Sequence, residues 1–429
     1  MKKKSANIFL GKKILVYGLG RTGISSYKFL KKKAAVYLFD DNPEIVRKIN
    51  KKCISLKELK RIKFDKIIIS PGIDISNCKL SNFLKKNFLK IYTDLDIFYS
   101  FFKNDCFTIT GTNGKSTTCQ ILYNIFKSNN LDVRLVGNIG KPMLLESKIK
   151  SKTIFIIEAS SYQISYSKFF KTDHAVILNL SPDHLERHGN INKYAQAKLK
   201  LIFNQDKNTQ SYIEKNNHII NKNIFKKKIK SILNKLNFNK EEYFKKKINN
   251  LYLLDKNNLK NIHFVYSICK KFRIPNSKIF NSLNKFKGLK FRKQIIYQKN
   301  NLTVINDSKS TSFSSTTGLL YSYKNIFWIV GGQFKKGDKF NIKNKYYKNI
   351  KAYIIGLNKK FFSNQFKDKI KFKCFGKLKD AIVAIKKDIE DEKSIKTILF
   401  SPSAASFDQY INFEKRGEHF NKTFKKIFF

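Results

Sequence analysis

The chain has 429 residues, 42% of them hydrophobic, so it can bury a large core in two to four domains, and no stretch approaches the roughly 18 apolar residues of a membrane span. Six cysteines without any C-x-x-C spacing indicate reduced thiols rather than a disulfide framework, which predicts a cytoplasmic protein without a membrane partner. The net charge of +56 comes from lysine spread over the whole length among asparagine, isoleucine and phenylalanine, as in an A+T-rich genome, so the charge does not by itself predict a nucleic-acid partner.

The first elements in chain order have the pattern of a nucleotide-binding domain. Gly18-Leu-Gly-Arg-Thr-Gly23 is a G-x-G-x-x-G turn that follows a strand and opens a helix, and Asp40 ends the next strand, where an acidic residue would hold a ribose hydroxyl. The predicted strands are Lys12–Tyr17, Ala35–Phe39 and Lys66–Ile69, the last of which runs into Ser70-Pro-Gly72. We predict a Rossmann-like domain over residues 1–95 that binds a nucleotide or nucleotide sugar, with a purely structural βαβ unit as the alternative; residues 73–95 are predicted as loop and helix.

A glycine-rich loop opens the second predicted domain, residues 96–289. The apolar run from Phe107 breaks into Gly111-Thr-Asn-Gly-Lys-Ser116, and a helix begins at the lysine. Gly111 and Gly114 allow successive N–H groups to point inward, Lys115 can reach the outer phosphates of a nucleotide, and the Ser116 hydroxyl can bind Mg²⁺. The pattern predicts a phosphate-binding loop, although Ile109 stands where the commonest P-loop has its first glycine; a simple turn between strand and helix is the alternative.

Two further strand ends carry chemistry. Thr153–Ile157 is a buried run that ends at Glu158, and His174–Leu180 leads into a loop with His184. A carboxylate at the end of the strand beside the phosphate loop is where an ATPase places a Mg²⁺ ligand or its positioning acid. The alternatives are a solvated glutamate and a surface histidine.

A helix predicted over Asn192–Phe203 carries a lysine on its apolar face. Tyr194, Leu201 and Ile202 form one stripe at i, i+7 and i+8, and Lys198 falls at i+4 on that stripe. A buried ammonium group costs several kcal/mol unless it is paired or neutralised. A snorkelling lysine is the alternative, and the periodicity alone leaves Lys198 undecided.

The rest of the chain completes the second domain and then forms a predicted third domain of the same α/β class. Residues 204–256 are predicted as irregular strands and turns, and Asn258-Leu-Lys-Asn261 is predicted to open a helix. Its two asparagine amides, one turn apart, could jointly face a ligand, with N-capping as the alternative. Residues 290–429, after a predicted hinge at Phe286–Arg292, have the pattern of another doubly wound parallel sheet. Its predicted strands are Leu302–Ile305, Phe327–Val330, Ala352–Ile355 and Thr397–Phe400.

In combination these motifs resemble the ATP-dependent Mur ligases of bacterial cell-wall synthesis. The segments that carry the resemblance are Thr110–Thr117, Glu158–Gln163, Asn179–His188, Ala197-Lys198 and Asn306–Lys309. The segments that look most like the member adding D-glutamate to UDP-N-acetylmuramoyl-L-alanine are Gly18–Gly23, Ser401–Tyr410 and Asn412–Gly417. The resemblance covers all three domains, although the Lys- and Asn-rich segment after Phe203 matches poorly.

The resemblance implies a role for each matching residue. Residues at the ATP would be Gly111, Thr112, Asn113, Gly114, Lys115, Ser116, Thr117, Asn261, Arg292 and Asp307. Two Mg²⁺ ions would be served by Ser116, Glu158, His184 and a Lys198 carbamylated by CO₂, and the catalytic residues would be Lys115, His184 and Lys198. Residues at the UDP-sugar would be Gly20, Arg21, Thr22, Asp40, Gly72 and Asn138. Residues at D-glutamate would be Lys309, Thr311, Ser406, Phe407 and Phe413.

The implied reaction is amide ligation through an acyl phosphate, with UDP-N-acetylmuramoyl-L-alanine, D-glutamate and ATP as substrates. The resemblance also implies that the enzyme is a monomer. Three positions depart from the family pattern: Phe291 replaces a histidine, Gln294 a glutamate and Ser312 an asparagine. We expect these to alter nucleotide or hinge contacts rather than abolish activity. Two other functions stay open. The first is a related ligase, either a sister ligase for another amino acid or a folylpolyglutamate synthetase. The second is a basic P-loop ATPase that nucleic acid stimulates.

Overall fold

The computed structural model describes residues 7–49, 53–225, 227–335, 337–390 and 394–429. The chain contains three sheets of four, six and six strands and divides into two compact units, one up to Phe286 and one from Lys287 onward. The first unit holds the N-terminal and central sheets, and the second holds the C-terminal sheet. The predicted α/β fold class with three domains is confirmed. Across these described ranges, no helix combines the length and the apolar character needed to cross a bilayer.

The N-terminal sheet is parallel throughout, with the strand order β2-β1-β3-β4. Its strands are β1 (Lys13–Tyr17), β2 (Ala35–Phe39), β3 (Lys66–Ile69) and β4 (Ile91–Tyr92). Its helices are α1 (Arg21–Leu30), α2 (Pro43–Ile49), α3 (Leu56–Arg61), α4 (Ser81–Lys86) and α5 (Asp94–Phe101). The three predicted strands are confirmed, whereas the two-residue β4 lies in the tract that the sequence predicted as loop and helix.

The central sheet is also parallel, with the order β10-β9-β8-β5-β7-β6. Its strands are β5 (Cys106–Thr110), β6 (Val133–Gly137), β7 (Ile154–Glu158), β8 (His174–Ile177), β9 (Gln210–Glu214) and β10 (Ile232–Leu236). Its helices are α6 (Lys115–Ser128), α7 (Ser161–Tyr166), α8 (Leu185–His188), α9 (Ile191–Phe203), α10 (His218–Ile224), α11 (Glu241–Lys247), α12 (Lys256–Lys271) and α13 (Asn276–Asn284). Because β5 lies between β7 and β8, the phosphate loop, Glu158 and the loop after β8 share one edge of the sheet.

The segment 204–256 is more regular than its sequence suggests. It forms the two outer strands β9 and β10 and the helices α10 and α11, so the prediction of irregular strands and turns was wrong. Its outermost strand, β10, reads Ile-Leu-Asn-Lys-Leu and none of its residues is fully buried. An edge strand needs only one partner and tolerates such polar residues, which hides it from a search for apolar runs.

One apolar core joins the N-terminal and central sheets. Val16 and Ile68 of the first sheet, Phe98 of α5, and Phe155 and Ile157 of the second belong to a single cluster of buried side chains. The Phe98 ring lies edge-on to the Phe155 ring, with the ring centroids 4.9 Å apart. This continuous core explains why the chain up to Phe286 is one compact unit.

The second unit has a sheet of six strands in the order β11-β12-β16-β13-β14-β15. The strands are β11 (Gln294–Lys299), β12 (Leu302–Asn306), β13 (Ile326–Val330), β14 (Ile350–Ile354), β15 (Lys371–Cys374) and β16 (Lys396–Phe400). The helices are α14 (Phe313–Ser322), α15 (Lys359–Phe366), α16 (Leu378–Glu390) and α17 (Phe413–Phe428). The four predicted strands are confirmed, and the two that were missed are its edges, the antiparallel β11 and the fully exposed β15.

Acid lowers the stability of this fold through a buried histidine. The His263 ring is buried between Phe238 and Phe244, and burial, with a smaller contribution from Lys240, lowers its pKa to about 4. Since the unfolded chain takes up the proton near pH 6.5, the free energy of unfolding falls as the pH drops from about 6.5 to 4, by about 1.4 kcal/mol per pH unit at most. Burial also lowers the pKa of His174 and His188 to about 4. We therefore expect His263→Leu to remove its own share, about one third, of the pH dependence of denaturant unfolding that the three histidines cause between pH 7 and 5.

The exposed His218 provides the control for this titration. His218→Leu should keep the slope of the wild-type protein. An equal change of slope in both variants would contradict the assignment to His263.

Candidate active site

The phosphate loop connects β5 to α6 and closes around its own backbone. Gly114, the residue before α6, has φ +81° and lies against the side chain of Asn261 on α12. The loop is also held from β8: the Asn113 N–H donates to Asn179 Oδ1 at 2.8 Å, and the Thr112 N–H donates to the Asn179 carbonyl at 3.0 Å. The loop is therefore fixed on both sides, by Asn261 and by Asn179.

We expect Gly114→Ala to damage this loop. An added Cβ would lie 2.5–2.8 Å from three atoms of the Asn261 amide, and alanine rarely adopts φ +81°. The positive φ alone costs about 1–2 kcal/mol, so the KM for ATP should rise about tenfold or more. Gly337→Ala is the control, because Gly337 has a similar φ of +83° with nothing within 4 Å of the added Cβ.

Lys115 and Ser116, the first residues of α6, bond to different groups. Lys115 Nζ donates to the carbonyls of Gly111 and Thr112, both at 2.8 Å, so its ammonium group lies within the loop. The Ser116 hydroxyl donates to Glu158 Oε2 at 2.6 Å, and both side chains are buried. The loop cation and a hydroxyl–carboxylate pair therefore lie on consecutive residues at the sheet edge.

Lys198 is buried at the same loop. It is only 2% exposed, and its Nζ donates to Gly111 O at 3.0 Å and to Thr110 Oγ1 at 3.2 Å. Gly111 O thus accepts from both Lys198 and Lys115. Burial, followed by the nearby Lys115 ammonium, lowers the pKa of Lys198 well below its ordinary value, while Asp183 and Glu158 act in the opposite direction. The side chain that periodicity left undecided is in the interior, and its amine is shifted toward the neutral form.

His184, the N-cap residue directly before α8, lies in the left-handed region with φ +54°. Its Nε2 lies 3.4 Å from Asp183 Oδ2, its Nδ1 lies 3.5 Å from Glu186 Oε1, and its side chain is 34% exposed. In the chain as far as it is described, no three or more His, Cys, Asp or Glu side chains are arranged to hold a metal ion. A metal role for His184 stays a prediction.

Of the two alternatives for the asparagines of α12, the structure favours a role at the helix start for Asn258. The helix begins at Lys256 with Asp255 as its N-cap, and the Asn258 amide donates to Tyr252 O and Asp255 Oδ2 within the helix start. Only Asn261, one turn later, lies against the phosphate loop. The two amides do not face a common ligand.

At the N-terminal sheet, the predicted UDP-sugar residues line the carboxyl edge of the strands. Asp40 accepts from the Leu19 N–H at 2.5 Å, so its carboxylate holds the glycine turn. Arg21 Nη2 donates to the Gly140 carbonyl at 2.9 Å, which links the start of α1 to the loop after β6. Along this edge Gly20, Arg21 and Gly72 are exposed, and Thr22 and Asp40 are half-buried. The exposed Asn138 follows β6 of the central sheet, two residues before Gly140. Their binding roles stay predictions.

In the second unit, Asp307 is a buried carboxylate at the end of β12. Its Oδ1 accepts from the Lys293 N–H at 3.0 Å, and its Oδ2 accepts from the Ser401 hydroxyl at 2.8 Å. Burial raises the pKa of Asp307 to about 6. The carboxylate joins the ends of β12 and β16 to the segment that contains Arg292.

The predicted D-glutamate residues surround the same strand ends. Lys309 Nζ lies 4.1 Å from the centroid of the Phe413 ring, which opens α17. Ser406 is buried and Thr311 half-buried, whereas Phe407 is 70% exposed. The D-glutamate roles of these residues stay predictions.

Two departures from the family pattern contact each other. The Phe291 N–H donates to Gln294 Oε1 at 3.1 Å. A Cβ added to Gly417 would lie only 2.4 Å from the Phe291 ring, so any side chain at position 417 would displace that ring. Ser312 is the N-cap of α14, a position where serine and asparagine are about equally favourable. Phe291 and Gln294 therefore contact each other directly, and Ser312 keeps the N-cap of α14.

Sequence reasoning missed three residues that hold these loops. Asn179 supports the phosphate loop, Arg187 on α8 donates to the carbonyls of Pro71 and Ile73, and the buried Arg416 donates to the carbonyls of Ser308 and Ala404. All three bond to backbone atoms distant in sequence, so their spacing carries no signal. The sequence indicated their importance only in that they lie within segments 179–188 and 412–417, which carry the resemblance to the Mur ligases.

Comparison with known proteins identifies sequence relatives over almost the whole chain. The family model of the Mur ligase middle domain matches residues 109–285, and that of the Mur ligase MurD-like N-terminal domain matches residues 12–91. The UDP-N-acetylmuramoylalanine–D-glutamate ligase of Rickettsia felis is 35% identical, covering 96% of this chain and 97% of the relative. The UDP-N-acetylmuramoylalanine–D-glutamate ligase of Rickettsia prowazekii is 34% identical, covering 98% of this chain and 99% of the relative.

Solved structures share the fold at lower identity. UDP-N-acetylmuramate-alanine ligase MurC from Thermotoga maritima has a TM-score of 0.58 at 16% identity, covering 97% of this chain and all of that one. MurF ligase from Thermotoga maritima, solved in complex with ADP, has a TM-score of 0.55 at 15% identity, covering 97% and 95%. At these identities the likeness is one of fold.

Proposed function

This chain belongs to the Mur ligase family, with UDP-N-acetylmuramoylalanine–D-glutamate ligases as relatives at up to 35% identity, and we propose that it carries out their reaction. It joins D-glutamate to UDP-N-acetylmuramoyl-L-alanine, converts ATP to ADP and phosphate, and so serves peptidoglycan precursor synthesis. We propose that it acts as a cytoplasmic monomer.

The observation that carries this proposal is the convergence of two lysines on one carbonyl of the phosphate loop. Lys115 and Lys198 both donate to Gly111 O, beside the buried Ser116–Glu158 pair. A loop cation, a buried amine shifted toward its neutral form and a buried carboxylate on one loop suit a reaction in which a nucleotide triphosphate meets a second anion.

The donor set at this edge fits magnesium. Ser116 Oγ and Glu158 Oε2 are hard oxygen donors only 2.6 Å apart, and a buried carboxylate requires a cation nearby. We propose that Ser116, Glu158, Lys198 and His184 serve two Mg²⁺ ions. Bound Mg²⁺ would offset the negative charge of the phosphates during phosphoryl transfer.

Lys198 fits modification by CO₂. Carbamylation requires a neutral amine, and burial beside Lys115 lowers the pKa of this side chain. The product is an anion, which replaces an unfavourable second cation next to Lys115 by a partner of opposite charge. We propose that Lys198 acts as the carbamate and supplies oxygen atoms to the metal site.

The chain's own residues then account for the two chemical steps. Loop N–H groups and Lys115 hold the γ-phosphoryl group of ATP while the alanyl carboxylate attacks it, which forms an acyl phosphate and ADP. The neutral amine of D-glutamate adds to the acyl carbon, the C–O bond to phosphate breaks in the tetrahedral intermediate, and the proton that the nitrogen loses passes to the departing phosphate as the amide forms. Lys115 remains beside the transferred phosphoryl group throughout, so the negative charge that moves stays paired.

The remaining predicted residues have binding roles in this proposal. We propose that Asn261, Arg292 and Asp307 contact the nucleotide. The UDP-sugar would be bound by Gly20, Arg21, Thr22, Asp40, Gly72 and Asn138. D-Glutamate would be bound by Lys309, Thr311, Ser406, Phe407 and Phe413.

Phosphate release measured over a matrix of substrates tests the function. We expect release from ATP only when UDP-N-acetylmuramoyl-L-alanine and D-glutamate are both present, with L-glutamate and L-alanine inactive. Activity with another amino acid would indicate a sister ligase. Release that needs only ATP and rises with added nucleic acid would indicate the P-loop ATPase alternative and overturn the proposal.

A further inference from the structure

Arg187 connects the two sheets of the first unit. It lies on the one-turn helix α8, directly after the loop of β8, and its Nη1 donates to the Pro71 carbonyl at 2.7 Å. Its Nη2 donates to the Ile73 carbonyl, and its guanidinium carbon lies 3.9 Å from the centroid of the Tyr162 ring. A single side chain of the central domain therefore holds a loop of the N-terminal sheet by two hydrogen bonds and is itself held by stacking.

The loop that Arg187 holds belongs to the predicted UDP-sugar edge. Residues 70–73 follow β3 and contain the exposed Gly72. The Ser70 hydroxyl donates to Gly18 O at 2.5 Å, and a Cβ on Gly18 would lie 2.8 Å from the Ile73 side chain. The position of this loop thus determines where the glycine turn before α1 lies.

The other end of the connection reaches the phosphate loop. The His188 ring, one residue after Arg187, stacks on the Tyr162 ring, and its Nε2 lies 3.0 Å from Ser161 Oγ. The same ring lies edge-on to Tyr194, whose hydroxyl is 3.1 Å from Thr112 Oγ1. Thr112 is part of the phosphate loop, so packed side chains run from that loop to Arg187.

We propose that Arg187 is a positioning residue that sets the approach of the UDP-sugar's reacting carboxylate to the γ-phosphate of ATP. This inference rests on the proposed function. If the UDP-sugar binds at the edge that contains residues 70–73 and ATP binds at the phosphate loop, Arg187 fixes the separation between the two binding sites. A guanidinium suits this role because it donates to two carbonyls while its face stacks on an aromatic ring, which an ammonium cannot do.

Kinetic measurement on Arg187→Met and Arg187→Lys tests the inference. We expect the KM for UDP-N-acetylmuramoyl-L-alanine to rise about 10-fold or more in Arg187→Met, since two charge-assisted hydrogen bonds are lost. The KM for ATP should stay within about twofold, because the phosphate loop keeps its own bonds to Asn179. Arg187→Lys should lie between, because it keeps the charge and at most one of the two bonds.

Arg134→Met is the matched control. Arg134 also donates to two backbone carbonyls, those of Val133 and Lys148, but it lies on β6, away from residues 70–73, and it also pairs with the carboxylates of Asp132 and Glu146. It should lower the melting temperature about as much as Arg187→Met while leaving both KM values unchanged.

Each outcome decides the inference. A selective rise in the KM for the UDP-sugar, matched by weaker calorimetric binding of that substrate without ATP, supports it. Equal changes in both KM values, or an unchanged KM for the UDP-sugar, would overturn it; if Arg187→Met does not fold, Arg187→Lys gives the same readout. A wild-type protein that does not bind the UDP-sugar would refute the proposed function itself.

Discussion

Replacing Lys198 by methionine should lower kcat by about a thousandfold while leaving the melting temperature unchanged or higher. The methionine keeps the apolar stem of a 2%-exposed side chain and removes the amine. No buried partner is stranded, because Gly111 O still accepts from Lys115 and the Thr110 hydroxyl donates to Ala159 O. A group that is costly to bury and dispensable for packing is retained for chemistry.

Lys198→Arg and Lys193→Ala refine this prediction. Arginine keeps the positive charge and cannot be carbamylated at neutral pH, so we expect the same loss as in Lys198→Met. Lys193 is exposed on the same helix, and Lys193→Ala should retain wild-type activity. Near-normal activity in Lys198→Arg would show that a cation suffices at this position, contrary to the carbamate proposal.

Glu158→Gln should lower kcat by about 100-fold or more and raise the Mg²⁺ concentration needed for half-maximal activity. Glutamine has the same shape and still accepts from the Ser116 hydroxyl, so the loop geometry is preserved. Only the negative charge at the sheet edge is lost. The measurement is a Mg²⁺ titration of phosphate release at saturating substrates.

Glu214→Gln is the control for that titration. Glu214 is also a largely buried carboxylate of the central sheet, and its Oε1 pairs with Lys260 Nζ at 2.7 Å. This change should cost some stability and leave the Mg²⁺ requirement unchanged. A Mg²⁺ requirement that Glu158→Gln does not alter would remove Glu158 from the metal site.

Local patterns in the sequence predicted the phosphate loop and the glycine turn. A strand followed by Gly111 and Gly114, with Lys115 opening a helix, is defined within ten residues, and its backbone geometry follows from the glycines. The interior strands were likewise predictable, because a strand buried on both faces is a continuous apolar run. The edge strands β10 and β15 were not, because none of their residues is fully buried.

The side chains that join distant segments could not be read from spacing. Lys198 fell on the buried stripe of α9, but only the fold shows that this stripe faces Gly111 rather than a purely apolar neighbour. Asn179, Arg187 and Arg416 bond to carbonyl or loop groups far along the chain, and backbone partners leave no trace in residue identity. Local chemistry was therefore predictable, and the contacts that position it were not.

Isotope transfer from the acceptor tests the central claim of the account most directly. UDP-N-acetylmuramoyl-L-alanine labelled with ¹⁸O in both carboxylate oxygens is incubated with the protein, ATP, Mg²⁺ and D-glutamate, and the released phosphate is analysed by mass spectrometry. The account predicts one ¹⁸O atom in each phosphate, because the carboxylate oxygen that attacks ATP leaves with the phosphoryl group. Unlabelled phosphate released together with the amide product would contradict it.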